Sequence, residues 1–195
     1  SYEELQEGKV LAKPIVKMYK VNETDRYKDL KGGYGRIYEE GIVNNRSRNL
    51  LIIEKARELI EQGITVLIMV ERIFHGDILY DMAEIVLPGI FCFLHGQTES
   101  EIKSQEKWAF EEQDRKGVIA TRIWSEGVNI KSIGAVINAV GGESEIASIQ
   151  RFGRGMRCTE NKDRVILIDF FDTNHVYFLK HSGNRLCYYF DWGWL

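Results

Sequence analysis

Five short apolar runs, alternating with stretches of helical periodicity, constrain this chain more than any other feature. They are Thr65-Val-Leu-Ile-Met-Val70, Ile90-Phe-Cys-Phe-Leu94, Gly117-Val-Ile-Ala-Thr121, Gly134-Ala-Val-Ile-Asn-Ala139 and Arg164-Val-Ile-Leu-Ile-Asp169. Each is apolar without alternation, the pattern of a strand buried on both faces. Ile52, Ala56, Leu59 and Ile60 form one face of a helix that begins near Asn45 or Ser47 and stops at Gly63. Ile78, Met82 and Ile85 repeat the pattern, and Pro88-Gly89 ends it. Residues 99–114 read as a charged, mostly solvent-facing helix, with further helices over 144–157 and 172–181. Such alternation predicts an α/β domain whose mostly parallel sheet is covered by helices on both faces. Ligands of such sheets lie beyond the carboxyl ends of the strands, which directs attention to the loops after Val70, Leu94, Thr121, Ala139 and Asp169.

The first 45 residues are less regular. Residues 10–21 fit a first strand, with Pro14 placing it at a sheet edge. Gly32, Gly33 and Gly35 suggest a phosphate cradle, but no helix with Lys-Ser/Thr follows, so a flexible turn is the better reading. Residues 1–45 are assigned to a linker and first strand or helix, 46–185 to the domain itself, and 186–195 to an aromatic tail. The start at Ser1, without methionine and in a linker-like segment, reads as a cut from something longer.

At 195 residues, 44% hydrophobic and 28% charged, the chain suits one soluble domain. It contains no apolar run near the roughly 20 residues needed to cross a bilayer, and no leader pattern, so no membrane association is expected. A net charge of −3 offers no global attraction to phosphate and argues against a passive DNA-coating protein. Three scattered cysteines, Cys92, Cys158 and Cys187, read as free thiols. The four histidines never fall at metal-ligand spacing, and no metal is expected on this chain.

The informative segment is Ser144-Glu-Ile-Ala-Ser-Ile-Gln-Arg-Phe-Gly-Arg-Gly-Met-Arg157. As a helix it brings Gln150, Arg154 and Arg157 to one face at i, i+4 and i+7. Ile146, Ile149, Phe152 and Met156 would dock the neighbouring face on the sheet. Gly153 and Gly155 each cost a helix interior about 1 kcal/mol, so the segment either needs close backbone approach or ends early near a ligand. Arginine at these positions suits bidentate recognition of phosphate. Taken alone, they are better read as a solvated face pairing with Glu145 and Glu160.

The surroundings decide between those readings. Ala120-Thr121 followed by Glu126-Gly-Val-Asn-Ile130 resembles motif V of superfamily 2 helicases, and Gln150-Arg-Phe-Gly-Arg-Gly-Met-Arg157 resembles their motif VI, Q-x-x-G-R-x-x-R. Val70-Glu-Arg72 with His75-Gly76 is similar to motif IV, Leu94-His-Gly96 to the motif between, and Gly141-Gly-Glu-Ser144 to the turn before motif VI. The ordered set covers roughly residues 40–185. The likeness is to phage and XPB-like DNA repair helicases and restriction-enzyme motors rather than to DEAD-box RNA helicases.

The resemblance implies a RecA-like three-layer αβα domain, the second motor domain of an ATP-dependent helicase or translocase. Arg154 and Arg157 match arginine fingers that reach a γ-phosphate held by an N-terminal RecA-like domain, and such a finger is worth about 10³–10⁵ in rate. Gln150, Gly127 and Asn129 match the nucleotide-facing positions, although relatives often carry Asp where Asn129 stands. Thr121 and Arg122, with His95 and Gly96, match contacts to the nucleic-acid backbone, and Arg72 could add one. Two of these have rival readings: Thr121 as a strand-end hydroxyl capping the next turn, His95 as a buried, hydrogen-bonded histidine.

The chain holds no Gly-x-x-x-x-Gly-Lys-Ser/Thr and no Asp-Glu-x-Asp/His, so ATP and Mg2+ are expected mainly on the partner domain, with DNA, or RNA in its place, as substrate. Asp169 reads as the last-strand aspartate of such a domain, not as a magnesium ligand. The resemblance places the protein in the cytoplasm, or in the host cytoplasm for a phage protein. The competing class is a non-catalytic RecA-like module that binds nucleic acid or a partner protein. The aromatic tail, Tyr188-Tyr-Phe-Asp-Trp-Gly-Trp-Leu195, would cover the sheet edge, pack on the missing domain or stack on bases; packing is favoured.

Overall fold

The computed structural model describes residues 13–21, 27, 29–121, 133–142 and 164–195. Six strands form one sheet: β1 (Lys13–Lys20), β2 (Val66–Val70), β3 (Phe91–Leu94), β4 (Gly117–Thr121), β5 (Ala135–Asn138) and β6 (Arg164–Phe171). Their order is β1-β6-β5-β2-β4-β3, and every pairing is parallel. Ile68 lies level with Ile119 and Ile137, so Val70, Thr121 and Asn138 finish at one rim. Pro14 lies on β1, at the edge of the described sheet, as expected for a proline within a strand.

The described helices are α1 (Tyr34–Tyr38, continued by a wider π turn over Glu39–Val43), α2 (Arg46–Glu61), α3 (Ile73–Val86), α4 (Ser100–Glu111) and α5 (Val176–Asp191). Helix α3 carries the chain outward from β2 to edge strand β3, and α4 brings it back to β4. Crossovers of one hand in opposite directions must pass over opposite faces. The core divides accordingly. Val66, Ile68 and Val70 pack with Ile52, Ala56, Leu79 and Ala83 of α2 and α3, whereas Leu67 and Met69 pack with Phe110 of α4 and Tyr189 of α5. Each face therefore takes alternate residues of the same apolar strands, giving the three layers.

Local chemistry sets the ends of α2. Asn45 Oδ1 accepts from the Arg48 N–H at 3.1 Å, a side-chain cap of the kind worth about 1 kcal/mol. Two expectations need correction. The apolar face assigned to α3 is rotated: Ile85 is 83% exposed, and His75, Gly76, Leu79 and Ala83 face inward. The reason is Gly76, whose missing side chain lets the helix seat directly on the Phe93 ring of β3. The last helix, expected over 172–181, instead runs Val176–Asp191 and crosses the proposed start of the aromatic tail. Gly193, at φ 66°, ends it in a Schellman turn: its N–H donates to Phe190 O and that of Trp194 to Tyr189 O. The turn folds Trp194 back into the core beside Tyr189, their ring centroids 6.1 Å apart. The tail packs on its own domain.

Candidate functional site

The carboxyl rim of the sheet carries two sets of side chains with opposite character. On the β5–β6 side, two arginines are fully buried. Arg48 of α2 donates from Nε to Asp172 at 2.8 Å and from Nη1 to Ala139 O at 2.8 Å, and its guanidinium lies 5.1 Å from the Phe170 ring centroid. Arg185 of α5 donates from Nε to Asp169 Oδ2 at 2.8 Å, from Nη1 to Gly142 O at 3.3 Å and from Nη2 to Phe170 O at 2.7 Å. Asp169 also accepts from Tyr189 Oη at 2.6 Å and from Asn138 Nδ2 at 3.3 Å. All four charged side chains are 0% exposed, so each charge is balanced inside the protein rather than by water.

The product of this network is a fixed backbone. Tyr38 of α1 donates its hydroxyl to Val140 O at 2.6 Å. Burial pushes that phenol well above its ordinary pKa, against the nearby Arg48 charge that lowers it, and so keeps the proton that makes the bond. Carbonyls 139, 140 and 142 are thus held by Arg48, Tyr38 and Arg185, from three different helices. Between them Gly141 has φ 67°, and a Cβ there would meet Ile42 Cδ1 at 2.8 Å and Arg48 Nη2 at 3.2 Å. Only glycine fits that turn.

A supporting pair lies behind the β2 end. Asn49 Nδ2 donates to Val43 O at 2.8 Å, leaving its Oδ1 to accept from His75 Nε2 at 2.9 Å. His75 is therefore the Nε2–H tautomer. Burial, reinforced by the Arg48 charge, pulls its pKa down to about 3, so the ring is neutral at physiological pH.

On the β2–β4–β3 side the rim mixes exposed and buried residues. Arg72 precedes α3 in extended conformation, and its guanidinium lies 5.9 Å from the Tyr38 ring centroid. His95 is half-buried beside Phe93, with ring centroids 4.9 Å apart. Its Nδ1 accepts from the Gln97 N–H at 3.3 Å, so Nε2 carries the ring proton. His95 is thus a turn-stabilising residue with a donor left over, between the two readings offered from sequence. Gly96 is exposed, and its carbonyl accepts from Lys103 at 3.1 Å. Thr121 ends β4 buried, its hydroxyl without a hydrogen bond among the described residues.

The structure brings Arg72, His95, Gly96 and Thr121 to one rim, on the strand ends that the sequence singled out. Arg122, Gly127, Asn129, Gln150, Arg154 and Arg157 lie outside the described residues. The same holds for Cys158; Cys92 and Cys187 are free thiols. Among the described residues no cluster of His, Cys, Asp or Glu is placed to hold a metal, and no helix is long and apolar enough to cross a membrane. Asp169 and Asp172 are each paired with a buried arginine.

Sequence reasoning missed Tyr38, Arg48, Asp172 and Arg185. A signal for Arg48 was present: with Asn45, Asn49, Ile52, Ala56 and Leu59 it falls on the inward face of α2, where an unpaired charge would be intolerable. Arg185 had none, because its helix was drawn too short to contain it.

The sequence model of the family described as "Helicase conserved C-terminal domain" matches residues 49–159, more than half of the chain. The ATP-dependent DNA helicase uvsW of Enterobacteria phage T4 is 24% identical over 178 residues, covering 80% of this chain and 35% of the relative. A helicase-named protein of Sulfolobus islandicus filamentous virus is 27% identical over 172 residues, covering 86% of this chain and 30% of the relative. The chain thus spans about a third of the length of these relatives. Its fold matches the crystal structure of T4 UvsW with a TM-score of 0.76 at 20% identity, over 91% of this chain and 39% of that one. S. cerevisiae Dbp5 L327V bound to RNA and ADP BeF3 matches at 0.60 and 16% identity, over 89% and 38%.

Proposed function

The chain belongs to the helicase conserved C-terminal domain family, and from that membership we propose that it is the second RecA-like lobe of an ATP-dependent DNA helicase or translocase. In this reading ATP sits between two lobes. The other lobe holds the triphosphate and Mg2+, and this one supplies Arg154 and Arg157 across the cleft. Negative charge grows on the phosphoryl oxygens during transfer, and a guanidinium already in place stabilises it without reorganising. Gln150, Gly127 and Asn129 would orient the nucleotide beside them. Closing on ATP and opening after hydrolysis would step two grips along one strand, this lobe's grip being Arg72, His95, Gly96, Thr121 and Arg122.

The observation that carries the proposal is the clamp on carbonyls 139, 140 and 142. The segment bearing Arg154 and Arg157 begins just beyond it in sequence, and a finger lowers a barrier only if its root is rigid. A free-standing scaffold has less use for a turn whose carbonyls 139, 140 and 142 are all held by buried side chains. The strand-end carboxylates Asp169 and Asp172 are paired with arginines, which supports assigning Mg2+ to the other lobe in this reading. DNA is the preferred strand because the phage T4 relative is named a DNA helicase.

The direct test is ATP turnover by the purified 195-residue chain, with and without single-stranded DNA. None above background is expected from half a site, and DNA-stimulated hydrolysis by this chain alone would contradict the proposal.

A further inference from the structure

The geometry points to a nucleobase-stacking cleft on this lobe, set beside the phosphate-facing rim and built to hold a base of the tracked strand. The inference rests on the reading that the chain grips a nucleic-acid strand, and adds which part of the strand is gripped. In that reading Arg72, His95, Gly96 and Thr121 are contacts to sugar and phosphate, through cations, hydroxyls and N–H groups. The cleft offers different chemistry. It has a volume of about 630 Å³, which suits a nucleotide-sized ligand. Its lining includes the Tyr34–Tyr177 pair, ring centroids 6.1 Å apart and edge to face, each residue 44% exposed. Tyr38 forms part of the floor, and its hydroxyl is already given to Val140 O, so it presents ring rather than polar surface.

Charge at the mouth fits a nucleotide as well. Arg72 and Lys180 line the cleft against a single carboxylate, Glu71, for a formal +1 in a protein whose net charge is −3. Exposed aromatic faces flanked by cations are the elements by which proteins hold unpaired bases without reading sequence. A second, smaller cleft of about 290 Å³ shares Tyr38 and Arg72 with the first and is also lined by Glu39 and by Phe74, 57% exposed. Two aromatic-lined clefts sharing one guanidinium suit successive bases with a phosphate between them, and so favour a strand over a free nucleotide. The cleft touches Gly142 at one end, placing a bound base next to the clamped turn.

The experiment measures binding of the 195-residue chain to labelled oligothymidylate, and to a base-free strand of equal length, at low salt and without ATP. Tyr177→Ala is expected to weaken oligothymidylate binding about tenfold while leaving binding to the base-free strand unchanged. Tyr177→Phe, which keeps the ring, should bind like the parent. Thermal melts of both variants should match the parent, since Tyr177 is half exposed. Four results would overturn the inference: no binding of oligothymidylate by the parent, equal weakening on both strands, loss in Tyr177→Phe as large as in Tyr177→Ala, or displacement of the strand by micromolar ATP. The last would reassign the cleft to a free nucleotide. Since no hydrolysis is measured, failure here leaves the finger assignment standing, and failure of the finger assignment leaves this binding result intact.

Discussion

Arg185 and Arg72 stand at the same rim and do opposite things. Arg185 is wholly buried, makes hydrogen bonds to Asp169, Gly142 O and Phe170 O, and has no access to any ligand. Arg72 is exposed, its guanidinium 5.9 Å from the centroid of the Tyr38 ring. The β5–β6 side of the rim is thus a pinned frame, and the β2–β3 side an adaptable surface. The contrast separates two demands on a motor. Charge stabilisation in a transition state needs groups fixed before the event, whereas gripping a strand of any sequence needs side chains that adjust.

The largest effect should come from breaking the pinned side. Arg185→Ala leaves Asp169 buried beside an empty space and is expected to lower the unfolding free energy by about 3–5 kcal/mol in urea denaturation. Arg72→Ala should stay within about 0.5 kcal/mol of the parent, the usual range for exposed positions. Equal costs for the two would erase the comparison.

A smaller effect sharpens it through pH. His75 is neutral in the folded protein down to about pH 3, whereas in the unfolded chain it takes up a proton near 6.5. Its folded value is depressed, so its contribution is complete above about pH 6.5 and is lost as pH falls toward 3, at up to about 1.4 kcal/mol per pH unit. Comparing unfolding free energies of the parent and His75→Gln between pH 7 and 5 isolates this part from the carboxylates, which titrate lower. The parent should lose more stability than the variant over that interval; identical slopes would place the titration elsewhere. Among changes to the pinned side, the smallest expected effect is that of Tyr38→Phe, which deletes the bond to Val140 O. A loss of about 1 kcal/mol is expected in stability, and a larger fractional loss in ATP turnover once this lobe is joined to its partner.

Much of this frame was legible before any coordinates. Doubly buried strands announce themselves by unbroken apolar runs, so β2 to β6 fell within a residue or two of their expected places at most ends. The extended end of β6 and the length of α5 did not. Phe170, Phe171 and Tyr188–Phe190 carry no helix-or-strand signature of their own, and the Schellman glycine, Gly193, lies beyond a stretch that reads as a tail. The rotated face of α3 was hidden for a related reason: Gly76 contributes nothing to a hydrophobic pattern yet sets which side approaches the sheet. Of the candidate site, the strand-end residues Arg72, His95, Gly96 and Thr121 could be named in advance because sequence motifs place them. The buried arginines escaped, since a charge inside a domain is recognisable only once its partner is known, and Arg48 and Asp172 are 124 positions apart.

The claim on which the account depends is that this lobe presents guanidinium groups to a triphosphate it does not itself hold. The most direct measurement is made on the protein in which this chain is joined to its P-loop lobe, comparing ATP affinity and single-turnover hydrolysis for Arg154→Ala and Arg157→Ala. Affinity close to the parent, with hydrolysis reduced by about 10³-fold or more, is the predicted result. Hydrolysis at the parental rate in both variants would contradict it.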